Sequence, residues 1–300
     1  MPIWVLIAVI AGGPVLLILG ALLAYAAWLA KSASEVERVP VLGHPSEHDL
    51  QHEVIIFKAA DNVALCGWYI PAADDRACVI LVQGEEHHRN SPGIRALELA
   101  RDLTARGFSV FMFDLRARGE SGGRHASAGN QELVDVMAAL ACVRARGIPP
   151  ERTALHGFSL GAGLAILAAA RESRLGALVC DSPFKDLLDD YQNLRLWGVP
   201  VPARLVVPVV RFMGRVLYHS DAGAVRPIKA AGSLRLPVLF IHGQQDEVVP
   251  PGDSEALYTA CGSARKELWL VPGAAHVSSY AVLRKAYVDR VAAFLESLRA

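Results

Sequence analysis

Seven residues, Gly157-Phe158-Ser159-Leu160-Gly161-Ala162-Gly163, stand between a run of strand-forming side chains, Thr153 to Phe158, and a helix-prone run, Leu160 to Arg171. A serine between a strand and a helix, with glycine two residues before and two after, demands a sharp turn. Only the smallest residues let strand and helix approach that closely. The turn sets the hydroxyl at a helix N-terminus, where the Leu160 N–H is a donor for a developing oxyanion.

The flanking sequence fits a sheet around that turn. Val54 to Phe57 and Val63 to Ile70 flank Ala60-Asp61-Asn62, a turn signal, so a hairpin is expected. Strands are then expected at Cys78 to Val82, Ser109 to Phe113, Thr153 to Phe158, Leu178 to Cys180, Val238 to Ile241 and Leu268 to Val271. Helical stretches separate them: Ile94 to Ala105, Gln131 to Arg146 capped by Asn130, Leu160 to Arg171, and a closing pattern over Val277 to Leu298. Strands alternating with helix-length segments imply right-handed crossovers and an α/β, mostly parallel, doubly wound sheet.

Lys185 to Arg235 breaks the alternation, being too long for an ordinary connection. Its apolar run, including Leu194, Trp197, Val201, Val206, Val210 and Phe212, is interrupted by Pro200, Pro202 and Pro208. It is expected to form an inserted helical lid over about 185–235, suited to an apolar substrate, although most of such residues simply pack on a sheet.

A serine hydroxyl is a poor nucleophile at neutral pH and needs a base, which needs an acid to orient it. After an elbow of this kind the acid and then the histidine follow in the chain. His276 lies in Val271-Pro272-Gly273-Ala274-Ala275-His276, directly after an expected strand, and no histidine intervenes between it and His242. Asp246, in His242-Gly243-Gln244-Gln245-Asp246-Glu247-Val248-Val249-Pro250, also follows a strand's carboxyl end, where ligands gather in open α/β sheets. Ser159, Asp246 and His276 are thus the expected catalytic residues, with Asp181 as a reserve acid. The competing reading makes Asp246 a turn cap and His276 a solvated loop residue.

Before Lys31 there is no charged side chain, and Ile3 to Leu29 supplies the roughly 20 apolar residues a membrane-spanning helix needs. Trp4 near one end and Tyr25 and Trp28 near the other match interfacial aromatics, and Gly12-Gly13-Pro14 marks a kink. A cleaved signal peptide, with Ala24-Tyr25-Ala26 at its end, is the rival reading, but it lacks a basic leading region. A single-pass membrane localisation follows, with 1–30 as a transmembrane anchor, a polar linker at 31–53 and the catalytic domain at 54–300. Lys31 and Arg38 after the helix place that domain on the cytoplasmic side.

Thirty basic side chains balance thirty acidic ones in 300 residues, so no field recruits nucleic acid. Five scattered cysteines in mostly apolar runs read as small core residues. Glu85-Glu86-His87-His88 offers metal-ligand types, yet adjacent residues point in different directions and no further ligand follows at the right spacing, so no metal is expected. Gly119-Glu120-Ser121-Gly122-Gly123 lacks the lysine and helix start of a phosphate loop, and no cofactor is expected.

From about Val54 onward these motifs resemble the α/β-hydrolase superfamily, and within it the single-pass serine hydrolases related to the Bem46 and ABHD proteins. The resemblance implies the α/β-hydrolase fold. Asp114-Leu115-Arg116-Ala117-Arg118-Gly119-Glu120-Ser121 is similar to the family's structural Asp-x-Arg-Gly-His-Gly-x-Ser loop, with Ala117 and Arg118 in place of Gly and His. Leu81-Val82-Gln83-Gly84-Glu85 occupies the place of the His-Gly-x segment, with Gln83 for histidine. That implies the Glu85 backbone N–H as the second oxyanion donor beside Leu160. The expected activity is cleavage of a lipid-like or acyl carboxylic ester through an acyl-enzyme. A peptidase or thioesterase on the same residues, or a catalytically silent membrane scaffold, are the alternatives.

Overall fold

The computed structural model describes residues 2–32, 34–74, 77–85, 88–188, 195–196, 199–200 and 203–299. For 3–12, 15, 195–196, 199–200 and 203–205 it describes the backbone only. Within these residues, alternating apolar runs pair into an eight-stranded sheet. The strands are β1 (Glu53–Lys58), β2 (Ala64–Ile70), β3 (Cys78–Val82), β4 (Ser109–Phe113), β5 (Thr153–Phe158) and β6 (Ala177–Asp181). A two-residue pair, β7 (Arg195–Leu196) and β8 (Val199–Pro200), lies apart, and β9 (Val238–Gly243) and β10 (Lys266–Val271) complete the sheet. Its spatial order is β1-β2-β4-β3-β5-β6-β9-β10. The β1–β2 hairpin is antiparallel and β2 runs antiparallel to β4, whereas the pairings from β4 through β10 are parallel. Asn62 at φ 66° turns the hairpin, a conformation asparagine tolerates.

Strand alternation divides the core into two layers. Cys78, Ile80 and Val82 of β3 pack on one side with α3 (Glu132–Ala145), α4 (Leu160–Ala169), α6 (Pro227–Ala231) and α7 (Gly252–Ala260). Val79 and Leu81 point to the other side, into α2 (Ala96–Ala105) and α9 (Arg284–Leu295). Helices on both faces leave the carboxyl ends of β3, β5, β6, β9 and β10 converging on one edge, where the loops that matter emerge.

Three sequence expectations change. Asn130 does not cap α3; the Glu132 carboxylate instead accepts the Ser127 and Gly129 N–H groups and the Ser127 hydroxyl, and Ser127 Oγ accepts the Gln131 N–H. The expected helix over 277–298 is divided into α8 (Ser279–Val282) and α9, with Val277 held at φ 48°. That residue follows His276, so helix formation yields there to the loop that aims the imidazole.

At the N-terminus, α1 (Ile3–Ser32) is one helix through Pro14. The transmembrane span expected over it is not shown: among the described residues no helix is long and apolar enough to cross a membrane. Ala26 and Ala30 of α1 pack on Val206 and Val210 of α5 (Ala203–Tyr218), which with α6 falls within the expected lid. The other lid positions named from the sequence, Leu194, Trp197, Val201 and Pro202, lie outside the described side chains, as do Glu86 and His87.

Candidate active site

Ser159 sits between β5 and α4 at φ 50°, ψ −118°, a strained backbone for a residue with a Cβ. Two glycines make that turn possible. A Cβ on Gly157 would lie 2.4 Å from the Gly161 carbonyl oxygen, and one on Gly161 would lie 2.1 Å from that of Val82. Both obstacles are backbone, so neither position admits a side chain. The Ser159 N–H donates to the Asp181 carbonyl at 3.0 Å, continuing the β5–β6 ladder into the turn and fixing the serine.

The loop after β10 brings His276 to the serine. His276 Nε2 lies 2.9 Å from Ser159 Oγ, and its Nδ1 lies 2.7 Å from Asp246 Oδ2. The other carboxylate oxygen, Oδ1, accepts the backbone N–H groups of Val248 (3.0 Å) and Val249 (2.9 Å). Burial by itself would raise the pKa of Asp246, but hydrogen bonds from His242 and His276 and the Val249 N–H hold its carboxyl well below the usual range. It is therefore an anion at neutral pH, facing Nδ1–H and leaving Nε2 to accept a proton.

Sequence reasoning missed a second histidine on this acid. His242, fully buried at the end of β9, places Nε2 3.1 Å from Asp246 Oδ2 and 2.9 Å from the Val249 carbonyl, while Nδ1 lies 2.7 Å from Ser254 Oγ. Two acceptors facing Nε2 require the proton there, so Nδ1 accepts from the Ser254 hydroxyl. Spacing alone gave no signal, because His242 and Asp246 meet only when the loop after β9 turns back.

Asp181, the reserve acid, is not near enough to hydrogen-bond His276 among the described contacts. It anchors a separate buried network: the Tyr287 hydroxyl donates to Asp181 Oδ2 at 2.8 Å and lies 2.9 Å from His156 Nε2. Burial pushes Asp181 up to about 6, against hydrogen bonding by Tyr287 and the nearby His242. Burial also pushes His156 down to about 3. Ser182, next to Asp181, accepts the Val277 N–H at 3.2 Å and so ties β6 to the His276 loop.

On the other side of the serine, Gly84 follows β3 so closely that a Cβ there would lie 3.1 Å from Ser159 Cβ. Leu160 is the first residue of α4, so its N–H has no partner within the helix. Glu85 and Leu160, the expected oxyanion pair, line one cavity of about 220 Å³. Gln83 is buried with neither amide atom hydrogen-bonded among the described residues. The Asp114–Ser121 loop is held from beneath by charge: Asp114 takes Arg89 at 2.6 Å and Arg116 takes Asp135 at 2.6 Å, all four buried. Ala117 occupies φ 60° where the resembling loop has glycine.

A mostly parallel sheet, a serine elbow after β5, and an acid and a histidine on later loops define an α/β-hydrolase. The family described as "Serine aminopeptidase, S33" matches residues 73–222 and 213–278. The protein YfhR of Escherichia coli (strain K12) is 30% identical over 251 residues, 79% of this chain and 79% of that protein. Protein bem46 of Schizosaccharomyces pombe is 27% identical over 266 residues, 86% and 80% of the two chains. The chain belongs to this S33 family of α/β-hydrolases, in its Bem46-like branch. In fold it is similar to the Pyrococcus furiosus esterase Pf2001, with a TM-score of 0.72 at 24% identity, covering 87% of this chain and 98% of that one. Est1E from Butyrivibrio proteoclasticus superposes with a TM-score of 0.63 at 20% identity, covering 82% and 99%.

Proposed function

We propose that this hydrolase cleaves a carboxylic ester through Ser159, His276 and Asp246. The observation that carries the reading is the unbroken hydrogen-bonded line from Ser159 Oγ through both ring nitrogens of His276 to Asp246. His276 Nε2 takes the Ser159 proton as Oγ attacks the ester carbonyl, and the backbone N–H groups of Leu160 and Glu85 hold the oxyanion. Asp246 stabilises the imidazolium, which gives its proton to the departing alkoxide. Water, deprotonated by the same imidazole, then releases the acid from Ser159. Esterase names among the similar folds favour an ester, whereas the family's name favours a peptide with a free amino end.

Membrane retention through α1 belongs to the same proposal. Leu16, Leu17, Ile18, Leu19 and Leu23 of α1 and Phe212, Val216 and Leu217 of α5 are exposed apolar side chains on two helices packed together, an area suited to lipid. An acyl ester drawn from a bilayer, with the catalytic domain on the cytoplasmic side, fits this arrangement.

The test exposes the membrane fraction to a fluorophosphonate probe, with Ser159→Ala and His276→Ala as controls. Labelling that depends on Ser159 supports the reading; folded protein that does not label leaves a catalytically silent scaffold. Turnover of p-nitrophenyl acyl esters but not of aminoacyl amides selects the esterase, and the reverse selects a peptidase. Alkaline carbonate extraction that frees the chain from membranes would remove the anchor.

A further inference from the structure

Arg118 stands where the resembling loop carries histidine, and it lines the same cavity as Glu85 and Leu160. Only 3% of it is exposed. A guanidinium has five N–H donors and stays charged, so burying it calls for acceptors around the fork. Among the described residues Arg118 has a single long hydrogen bond, Nη1 to the Arg116 carbonyl at 3.5 Å, and its Nε has none. The nearest carboxylate, Glu132, is 3.7 Å away, and both its oxygens are already engaged by Ser127 and Gly129. Arg118 is thus in ion-pair range of one buried carboxylate at 3.7 Å, whereas Arg89 and Arg116 meet their buried aspartates at 2.6 Å, in hydrogen-bond contact.

The wall of this cavity includes Leu160, next in the chain to Ser159, and Glu85, next to the Gly84 that packs closely on Ser159, which sets it beside the elbow. Another part of its wall is the end of α1, at Ser32, and the segment that follows, with Glu35 and Glu37, which the Ala126 N–H and the Arg38 side chain tie to the catalytic domain. Glu35, Glu37 and Glu85 are exposed at this mouth and lie beyond ion-pair distance of Arg118. Solvent screens them, while the buried guanidinium acts at short range in a poorer dielectric. They still oppose a second negative charge at the entrance. The combination favours a ligand with one anionic group directed inward.

We propose that this cavity is a subsite for an ester bearing a single anionic group, carboxylate or phosphate, held by Arg118 beside Ser159. The assignment builds on the serine-hydrolase reading and names the substrate class it selects. It is tested by isothermal titration of the full Ser159→Ala chain, which binds without turnover, using two matched pairs. Monomethyl glutarate is compared with methyl pentanoate, and dioctanoyl phosphatidylglycerol with dioctanoylglycerol. The anionic member of at least one pair should bind roughly 10- to 100-fold more tightly, as a charge-assisted bidentate contact does. Preference in the lipid pair alone assigns the anion to a headgroup, and in the glutarate pair alone to a soluble carboxylate. Adding Arg118→Gln should abolish the preference, and Arg118→Lys should retain part of it. Equal affinities within both pairs, no binding of any of the four, or a preference that survives Arg118→Gln overturns the assignment. The ligand comparison needs no substitution at 118, so misfolding of a variant leaves it decisive. Fluorophosphonate labelling without anion preference would sink the subsite alone, and preference without labelling would sink the hydrolytic reading alone.

Discussion

His242 Nε2 and Asp246 Oδ2 are 3.1 Å apart, and that oxygen is the one that meets His276 Nδ1 at 2.7 Å. One carboxylate oxygen therefore serves two imidazoles, one buried and permanently placed, the other partly exposed and directed at the serine. The buried ring fixes where the anion sits and draws off part of its charge.

Replacing His242 with leucine removes that donor. The expected outcome is a fall of roughly 10- to 100-fold in kcat/KM, the value of a hydrogen bond to a charged group, with the acid limb of the pH profile moved to higher pH because Asp246 then concentrates its charge on His276. His242→Gln, whose amide reaches the same acceptors, should recover much of the loss. A kcat/KM profile from pH 5 to 9 on a p-nitrophenyl ester checks this, and an unmoved acid limb in the leucine variant would show that His242 only fills space.

Asp246→Asn tests the acid itself. The amide keeps the shape of the site and most of its hydrogen bonds, but its NH₂ facing Nδ1 favours the tautomer with the proton on Nε2, where it blocks proton transfer. The expected fall in kcat is roughly 10³- to 10⁴-fold with little change in KM. Ester turnover within a factor of about ten of the parent would reassign the acid.

The parts of this arrangement that were legible in the sequence are those fixed by local pattern. Cys78–Val82, Ser109–Phe113 and Thr153–Phe158 have the bounds their mainly apolar runs predict, because strands buried on both faces read as near-continuous apolar segments. Chain order likewise singled out Ser159, Asp246 and His276, which the loops bring within hydrogen-bonding distance. What local pattern does not encode is where a loop doubles back. The Ser127–Glu132 cap displaced Asn130 because Glu132 reaches backward across a turn with Ala128 at φ 50°. The identity of Arg118 was visible as a departure from the resembling loop. Its burial in a cavity depends on the segment after α1 lying against residue 126, a contact 92 positions away in the chain, from Ser34 to Ala126.

Gly161→Ala examines the elbow apart from the chemistry. The added methyl would meet the carbonyl oxygens of Val82 and Gln83 at 2.1 and 2.4 Å, and neither is a flexible side-chain end. Strand β3 and helix α4 must separate, at a cost of about 2–4 kcal/mol. Urea unfolding followed by tryptophan fluorescence should show a lower midpoint, and an unchanged midpoint would mean that the elbow is looser than its geometry indicates.

The acid sensitivity of the fold should be divided between His156 and Asp181, which act in opposite directions. His156 is neutral in the folded chain, its pKa pushed down to about 3 from 6.5, so the unfolded state binds more protons between those values and stability falls as the pH falls through that window. Asp181 is pushed up to about 6 from 3.8, so the folded state binds its proton first and stability rises as the pH falls from about 6 to about 4. Each tenfold change in proton affinity between the folded and unfolded chain corresponds to about 1.4 kcal/mol, so the two groups are each worth a few kcal/mol and largely cancel between pH 4 and 6. Below pH 4 the histidine is the one of these two groups that continues to titrate, and its contribution adds to that of the Asp246 carboxylate, which is also lost there. His156→Gln should therefore reduce the decline below pH 4 and make stability rise on acidification from pH 6 to 4, whereas Asp181→Asn should uncover a decline across that same interval. Urea midpoints measured every half unit from pH 3.5 to 7 separate the two, and parallel curves for both variants and the parent would mean that neither buried group sets the acid limit.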